Sequence, residues 1–310
     1  LNMNYGFDGG AINATGTTSL YIENTIFEGN RGNGHTPQVR EETFDEETGH
    51  LLTSRIIVHE LQGRGGAIHF SGNGSLTVVD SQFIDNDTRW GGGGMAIRTL
   101  DGLATISGCV FDSNLVTNGN GGGILMWMEG ADTYEMTDFA EIFGTLIIED
   151  TEFYANKSRS GGGLYMVGDY SAPLRAEVSG SSFEANETNN NGGAVALTKL
   201  YDEAIITNTS MNLNKAQNGG AIAVETQLMF SASGLDMSTN SASTSGGAMY
   251  ISSTALVTLV DSKVRGNRAQ STYGGGIYAN SLDQTYPVRF IGVTVADNQS
   301  ELEGGGIHVR

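Results

Sequence analysis

The chain has one cysteine, three prolines and four lysines in 310 residues. The lone Cys109 excludes a disulfide within the chain, so stability must come from non-covalent packing. Sixteen basic residues oppose thirty-five acidic ones, a formal charge of −19. Such a surface repels phosphate backbones and anionic membrane surfaces, which argues against nucleic-acid partners. No run of 18 apolar residues occurs, so no membrane-spanning helix and no direct membrane insertion are expected. Residues 1–10 run straight into the first glycine motif, so no signal peptide is expected there.

Glycine is in excess, with 45 residues, and the glycines fall in phase. A Gly-Gly-small-hydrophobic tetrad begins at Gly9, Gly65, Gly92, Gly121, Gly161, Gly192, Gly219, Gly246, Gly274 and Gly304. Between tetrads sits a Phe-x-x-Asn motif or a relaxed form of it, from FEGN ending at Asn30 to VADN ending at Asn298. Two motifs alternating at about 27–30 residues mark a stacked-repeat protein.

With the Phe position as zero, positions −7 and −5 are apolar in every copy, for example Leu76 and Val78 or Leu146 and Ile148. That is a strand with one face buried. Position −3 holds only Asn, Asp or Gly, including Asn24, Asp80, Gly108, Asp150 and Asp261. These residues best tolerate a left-handed backbone, so a bend is expected there. Position 0 points inward, and the chain bends again near the Asn. A loop of four to six residues then leads to the next tetrad, whose fourth residue starts a further strand. The expected fold is all-β: a right-handed parallel β-helix of nine to ten coils, with three short strands per coil. Glycine at this density disfavours a helical repeat.

The Asn of the second motif recurs without exception: Asn30, Asn86, Asn114, Asn156, Asn186, Asn214, Asn240, Asn267 and Asn298. Inward amides at a corner can bond from coil to coil as a ladder. Asn86, Asn156, Asn186 and Asn298 also open N-x-Ser/Thr sequons, but a glycan there would break the ladder. Asn13, Asn73 and Asn208 are the better glycosylation candidates.

We expect one β-helix over 1–310, a segment of a longer chain. Two excursions interrupt it. Residues 31–64 read as an inserted hairpin with its turn near Glu47–Gly49, or as a degenerate coil, because the spacing equals two periods. Residues 129–144 read as an inserted acidic loop. Loops on a rigid scaffold carry recognition, so Glu41, Glu42, Phe44, Asp45, Tyr134 and Phe139 are the candidate contact residues. The run Glu41, Glu42, Asp45, Glu46, Glu47 offers a weak Ca²⁺ site; a solvated hairpin tip explains it better.

The paired GGA(I/L/V) and FxxN motifs resemble the repeats of chlamydial polymorphic outer membrane proteins, across nearly the whole chain. The resemblance implies a β-helical autotransporter passenger, exposed at the cell surface and active in adhesion. The partners it implies are host or environmental surface glycans, other surface proteins or other copies of the chain. Parallel β-helices also house pectate-lyase-like, carbohydrate-active enzymes and carbohydrate-binding modules. That alternative needs carboxylates or bases gathered on one face. The outward positions after the tetrad include His69, Tyr165, Tyr250, Tyr278 and His308, then Arg98, Trp127 and Glu225, with no facing carboxylates. We therefore expect no catalytic residue, no metal and no cofactor. Asp80, Asp150 and Asp261 lie in the bend column, where geometry accounts for them. The outward tyrosines are expected to be ordinary exposed strand residues, and Cys109 a packed thiol.

Overall fold

A computed structural model describes residues 3–16, 19–32, 38–44, 51–58, 63–99, 102–128, 144–169, 173–225, 229–253, 256–281 and 287–310. Among these residues all regular structure is β-strand. The strands form four long parallel sheets of ten, nine, nine and ten strands, and each coil adds one strand to each sheet. The chain is a parallel β-helix.

One coil shows the plan. The first wall is Ile68–Gly72, beginning with the fourth residue of the tetrad at Gly65. The second wall is Leu76–Val79, the third is Gln82–Ile84, and the fourth is Asp87–Thr88. The expectation of three strands per coil is corrected to four. The additional strand lies in what reads from sequence as a loop between the Asn and the next tetrad. It is only two residues long in most coils, too short for an alternation to register. Its first residue faces out and its second faces in, as with Lys157 and Ser158 or Arg268 and Ala269.

Three corners of each coil use left-handed backbone. Position −3 has φ between +46° and +64° throughout, from Asp261 to Gly234 and Gly292. The second bend falls one residue before the ladder Asn, at Asp85, Ser113, Ala155, Ala185, Leu213 and Thr239 among others. The third is the first tetrad glycine, such as Gly65 at φ +71°. The second tetrad glycine answers a different need. A Cβ on Gly66 would lie 2.0 Å from the carbonyl oxygen of Gly93 in the next coil. Side-chain-free backbone lets the coils close to their strand spacing of about 4.8 Å.

The interior is a set of vertical files. Phe27, Phe83, Phe111, Phe153 and Phe183 are paired in register along the third wall. Their rings stack with centroids 4.5–5.0 Å apart and planes within 10°. Met211, Met237 and Val264 continue the file, all fully buried. The small column at −2 carries its own polar relay. The backbone N–H of Thr151 donates to Ser181 Oγ at 3.2 Å, and Leu235 N–H donates to Ser262 Oγ at 3.0 Å.

The stack steps directly from the coil before residue 33 to the coil after residue 62: Arg31 pairs with Asp87 and Ile12 with Ile68. Between them, strands Gln38–Phe44 and Leu51–Val58 pair antiparallel with each other alone. The turn expected near Glu47–Gly49 lies outside the described residues. Gly32 and Gly63 bracket this excursion, and both present a carbonyl oxygen 2.8 Å from the Thr88 hydroxyl. The other expected insertion, 129–144, lies outside the described residues except for Gly144, which opens the strand Gly144–Glu149.

Candidate functional site

The ladder asparagines occupy one inward file. Those from Asn30 to Asn267 are buried, and Asn298 is half-buried. Each Oδ1 accepts twice from the coil before. Asn156 Oδ1 receives the backbone N–H of Asn114 at 3.0 Å and its Nδ2 at 2.9 Å. Within the stack Nδ2 donates twice, as Asn156 Nδ2 reaches Phe111 O at 2.8 Å and Asn186 Oδ1 at 3.0 Å, while at the last coil Asn298 Nδ2 reaches Val264 O at 2.8 Å. The same four contacts recur at Asn86, Asn114, Asn186, Asn214, Asn240 and Asn267. Every polar atom of these amides is satisfied in a site that water does not reach, which is the condition for burying amides without loss. Asn4 belongs to the same file. Its N–H and Nδ2 donate to Asn30 Oδ1 at 3.0 and 2.9 Å. No Phe-x-x precedes it, so the motif misses it. The clue is that Asn4 precedes Tyr5–Gly6 as Asn30 precedes Arg31–Gly32.

The glycosylation candidates Asn13, Asn73 and Asn208 are all exposed. Asn13 Oδ1 lies 2.9 Å from His69 Nδ1. Asn208 sits at a corner with φ +47°. The sequon asparagines Asn86, Asn156 and Asn186 are fully buried, which closes them to a glycan in the folded chain.

Among the contact candidates, Glu41, Glu42 and Phe44 lie on the hairpin strand, opposite Arg55, Ser54 and Leu51. Asp45, Tyr134 and Phe139 lie outside the described residues, as do Glu46 and Glu47 of the acidic run. Among the described residues no group of three His, Cys, Asp or Glu is placed to hold a metal. The bend-column acids have a steric partner. Asp80, Asp150 and Asp261 each put Oδ1 2.2 Å from where a Cβ would stand on Gly108, Gly180 and Gly292 of the following coil.

The outer face of the first wall gathers rings. Tyr250, Tyr278 and His308 stack in file at 5.4 and 5.7 Å, and Tyr273 comes in from the turn to lie 4.6 Å from His308. The expectation of exposed tyrosines is corrected. Tyr278 is 8% exposed, and Tyr165 and Tyr250 are half-buried. Ring-on-ring stacking down the file covers Tyr250 and Tyr278, and packing against Ala96, Leu125 and Trp127 covers Tyr165. Nearer the start, Trp127 is 5% exposed, stacks on His69 at 5.9 Å and lies under the Arg64 guanidinium at 4.4 Å. Burial holds His69 below the ordinary imidazole range, opposed by Asp8 and assisted by Arg64 and Arg98. Glu225 accepts from Asn191 Nδ2 at 2.8 Å, and burial raises its pKa. His69, Trp127 and Arg64 meet near the start of the wall, and the Tyr250–Tyr278–His308 file lies further along it. Cys109 is 1% exposed, and burial pushes its thiol up to about 11. The neutral thiol that results is a poor nucleophile, as expected of a packing residue.

No family model, no curated protein and no solved structure matches this chain.

Proposed function

We propose that the chain is the stiff shaft of an extracellular, surface-exposed structural or adhesive protein. On this reading it is an autotransporter passenger of the polymorphic outer membrane protein type. Its contacts are carried by the excursions at 31–64 and 129–144, towards surface glycans, other surface proteins or other copies of the chain. The observation that carries the reading is the continuous amide file from Asn4 to Asn298, which passes the 31–64 excursion without a break. A scaffold whose interior ignores an insertion is free to vary that insertion for binding.

The test uses beads coated with the full chain, and beads coated with a variant in which residues 33–62 are replaced by a short Gly-Ser linker. The proximity of Gly32 and Gly63 on Thr88 makes that closure local. Adhesion to cell- and glycan-coated surfaces under flow should exceed that of bare beads and fall in the variant, with thermal unfolding preserved. Full-chain beads that adhere no better than bare ones would overturn the adhesive reading.

A further inference from the structure

An open trough runs along the rod on the outside of the fourth wall. Its larger part, about 710 Å³, is lined by Trp90, Asn118, Lys157, Arg159, Glu187 and Asn190 among others. A smaller part of about 310 Å³ shares Glu187 and Asn189 and continues past Lys215, Gln217 and Gln270. Each coil builds it from the same two places. The outward residue of the two-residue strand supplies the floor, and the turn leading to the next tetrad supplies the bank. A linear polymer lying along it therefore meets equivalent positions at every coil, about 4.8 Å apart.

Its chemistry departs from that of the rest of the molecule. On a chain of charge −19, the described lining carries Lys157, Arg159 and Lys215 against one carboxylate, Glu187. The bank is held in place. With amide oxygens turned towards their donors, Asn190 accepts from Arg159 Nε at 3.0 Å and Asn118 from Arg89 Nε at 3.2 Å. Trp90 is half-buried, with the Arg89 guanidinium 5.2 Å from its ring centre.

We propose that this trough binds an acidic polysaccharide, a chain of carboxylate-bearing sugars, lengthwise along the rod. Arginine and lysine recognise the carboxylates, arginine through a planar fork. The amides of Asn118 and Asn190 are spent on fixing the bank, while Gln217 and the amide oxygen of Gln270, whose Nε2 donates to Ser241 Oγ at 3.0 Å, suit sugar hydroxyls. The indole of Trp90 offers an apolar face with a polar edge. A nucleic acid fits less well, because it draws its affinity from many neutralised phosphates and would meet three cations on a strongly acidic body. The proposal is of binding, and the paired carboxyl groups of a glycoside hydrolase are not gathered in the described lining. Glu187 is the one lining carboxylate and sits 3.4 Å from Lys157 Nζ, whereas glycoside hydrolysis uses a pair of carboxyl groups. None of the described lining residues belongs to the insertions, although Trp90 N–H donates to Gly63 O at 3.3 Å where the 31–64 excursion rejoins the stack, so the proposal rests on different residues from their adhesive role.

The experiment is fluorescence anisotropy of labelled oligogalacturonate with the full chain at about 0.15 M salt, where surface charges are screened beyond about 8 Å. Labelled dextran and poly(dT) are the neutral and phosphate arms. Oligogalacturonate should bind and dextran should not. Lys157→Gln with Arg159→Gln should weaken binding by about tenfold or more, and Trp90→Ala should also weaken it. Glu187→Gln should tighten it, a gain that a damaged fold could not produce. Replacement of residues 33–62 should leave the affinity unchanged, which separates failure of this proposal from failure of the adhesive one. The proposal is overturned if the full chain does not bind oligogalacturonate, if poly(dT) or dextran binds as tightly, or if the trough variants leave the affinity where it was.

Discussion

At the scale of single residues, the ladder asparagine is the most constrained position in the chain. Asn156 takes part in two accepted and two donated bonds with no water to replace them. Asn156→Ala would strand the N–H and one Nδ2 proton of Asn114, the carbonyl of Phe111 and Oδ1 capacity on Asn186. Each buried polar group left without a partner costs about 1–3 kcal/mol, so the loss should exceed about 3 kcal/mol. Equilibrium unfolding in urea checks this. An unchanged midpoint would mean that the amide file contributes nothing to the stack. Asn13→Ala, at an exposed position of the outer face, is the matching control.

At the scale of the coil, the bend column couples neighbours by shape. Asp150 leans over Gly180, and Asn208 over Gly234, so a side chain in one coil is answered by its absence in the next. Gly180→Ala meets two penalties. Its φ of +58° is strained for an L-residue by about 1–2 kcal/mol, and its Cβ would stand 2.2 Å from Asp150 Oδ1. Adding Asp150→Gly should recover the steric part and leave the backbone part, giving a clear coupling energy in a double-mutant cycle. Additive losses would show that the two side-chain sites do not communicate. The Asx-or-Gly rule of this column was plain in the sequence because chemistry and backbone geometry select the same three residue types. The bend near each ladder Asn was expected from the motif, but its place one residue earlier was not marked, because Ala155, Ala185, Leu213 and Thr239 adopt it with no turn residue. The fourth wall was hidden by its length, as in Asp87–Thr88. The trough was hidden with it, since its floor is that wall and its bank, from Trp90 to Asn190, has no repeated residue type. The ladder file, by contrast, was legible because one residue type recurred at one phase.

At the scale of the molecule, contacts run almost wholly between adjacent coils, so stability is close to a sum of coil and nearest-neighbour terms. The amide file adds a grain to that sum. Every Oδ1 from Asn30 to Asn298 accepts from the amide of the coil before, and every Nδ2 from Asn4 to Asn267 donates to the Oδ1 of the coil after. Each winding thus ends with the same socket that the next one begins by filling, like identical beads threaded one way round. Excising residues 187–214, a spacing of 28 from Asn186 to Asn214, would bring Asn186 onto Asn240 and Gly180 onto Gly234 without a collision. The shortened protein should keep its β-type circular dichroism and a cooperative melt, whereas a chain that came out unfolded would show that the windings are not interchangeable. A lineage carrying such a scaffold can lengthen or shorten its reach by whole windings, through duplication or loss of gene segments, without redesigning an interior.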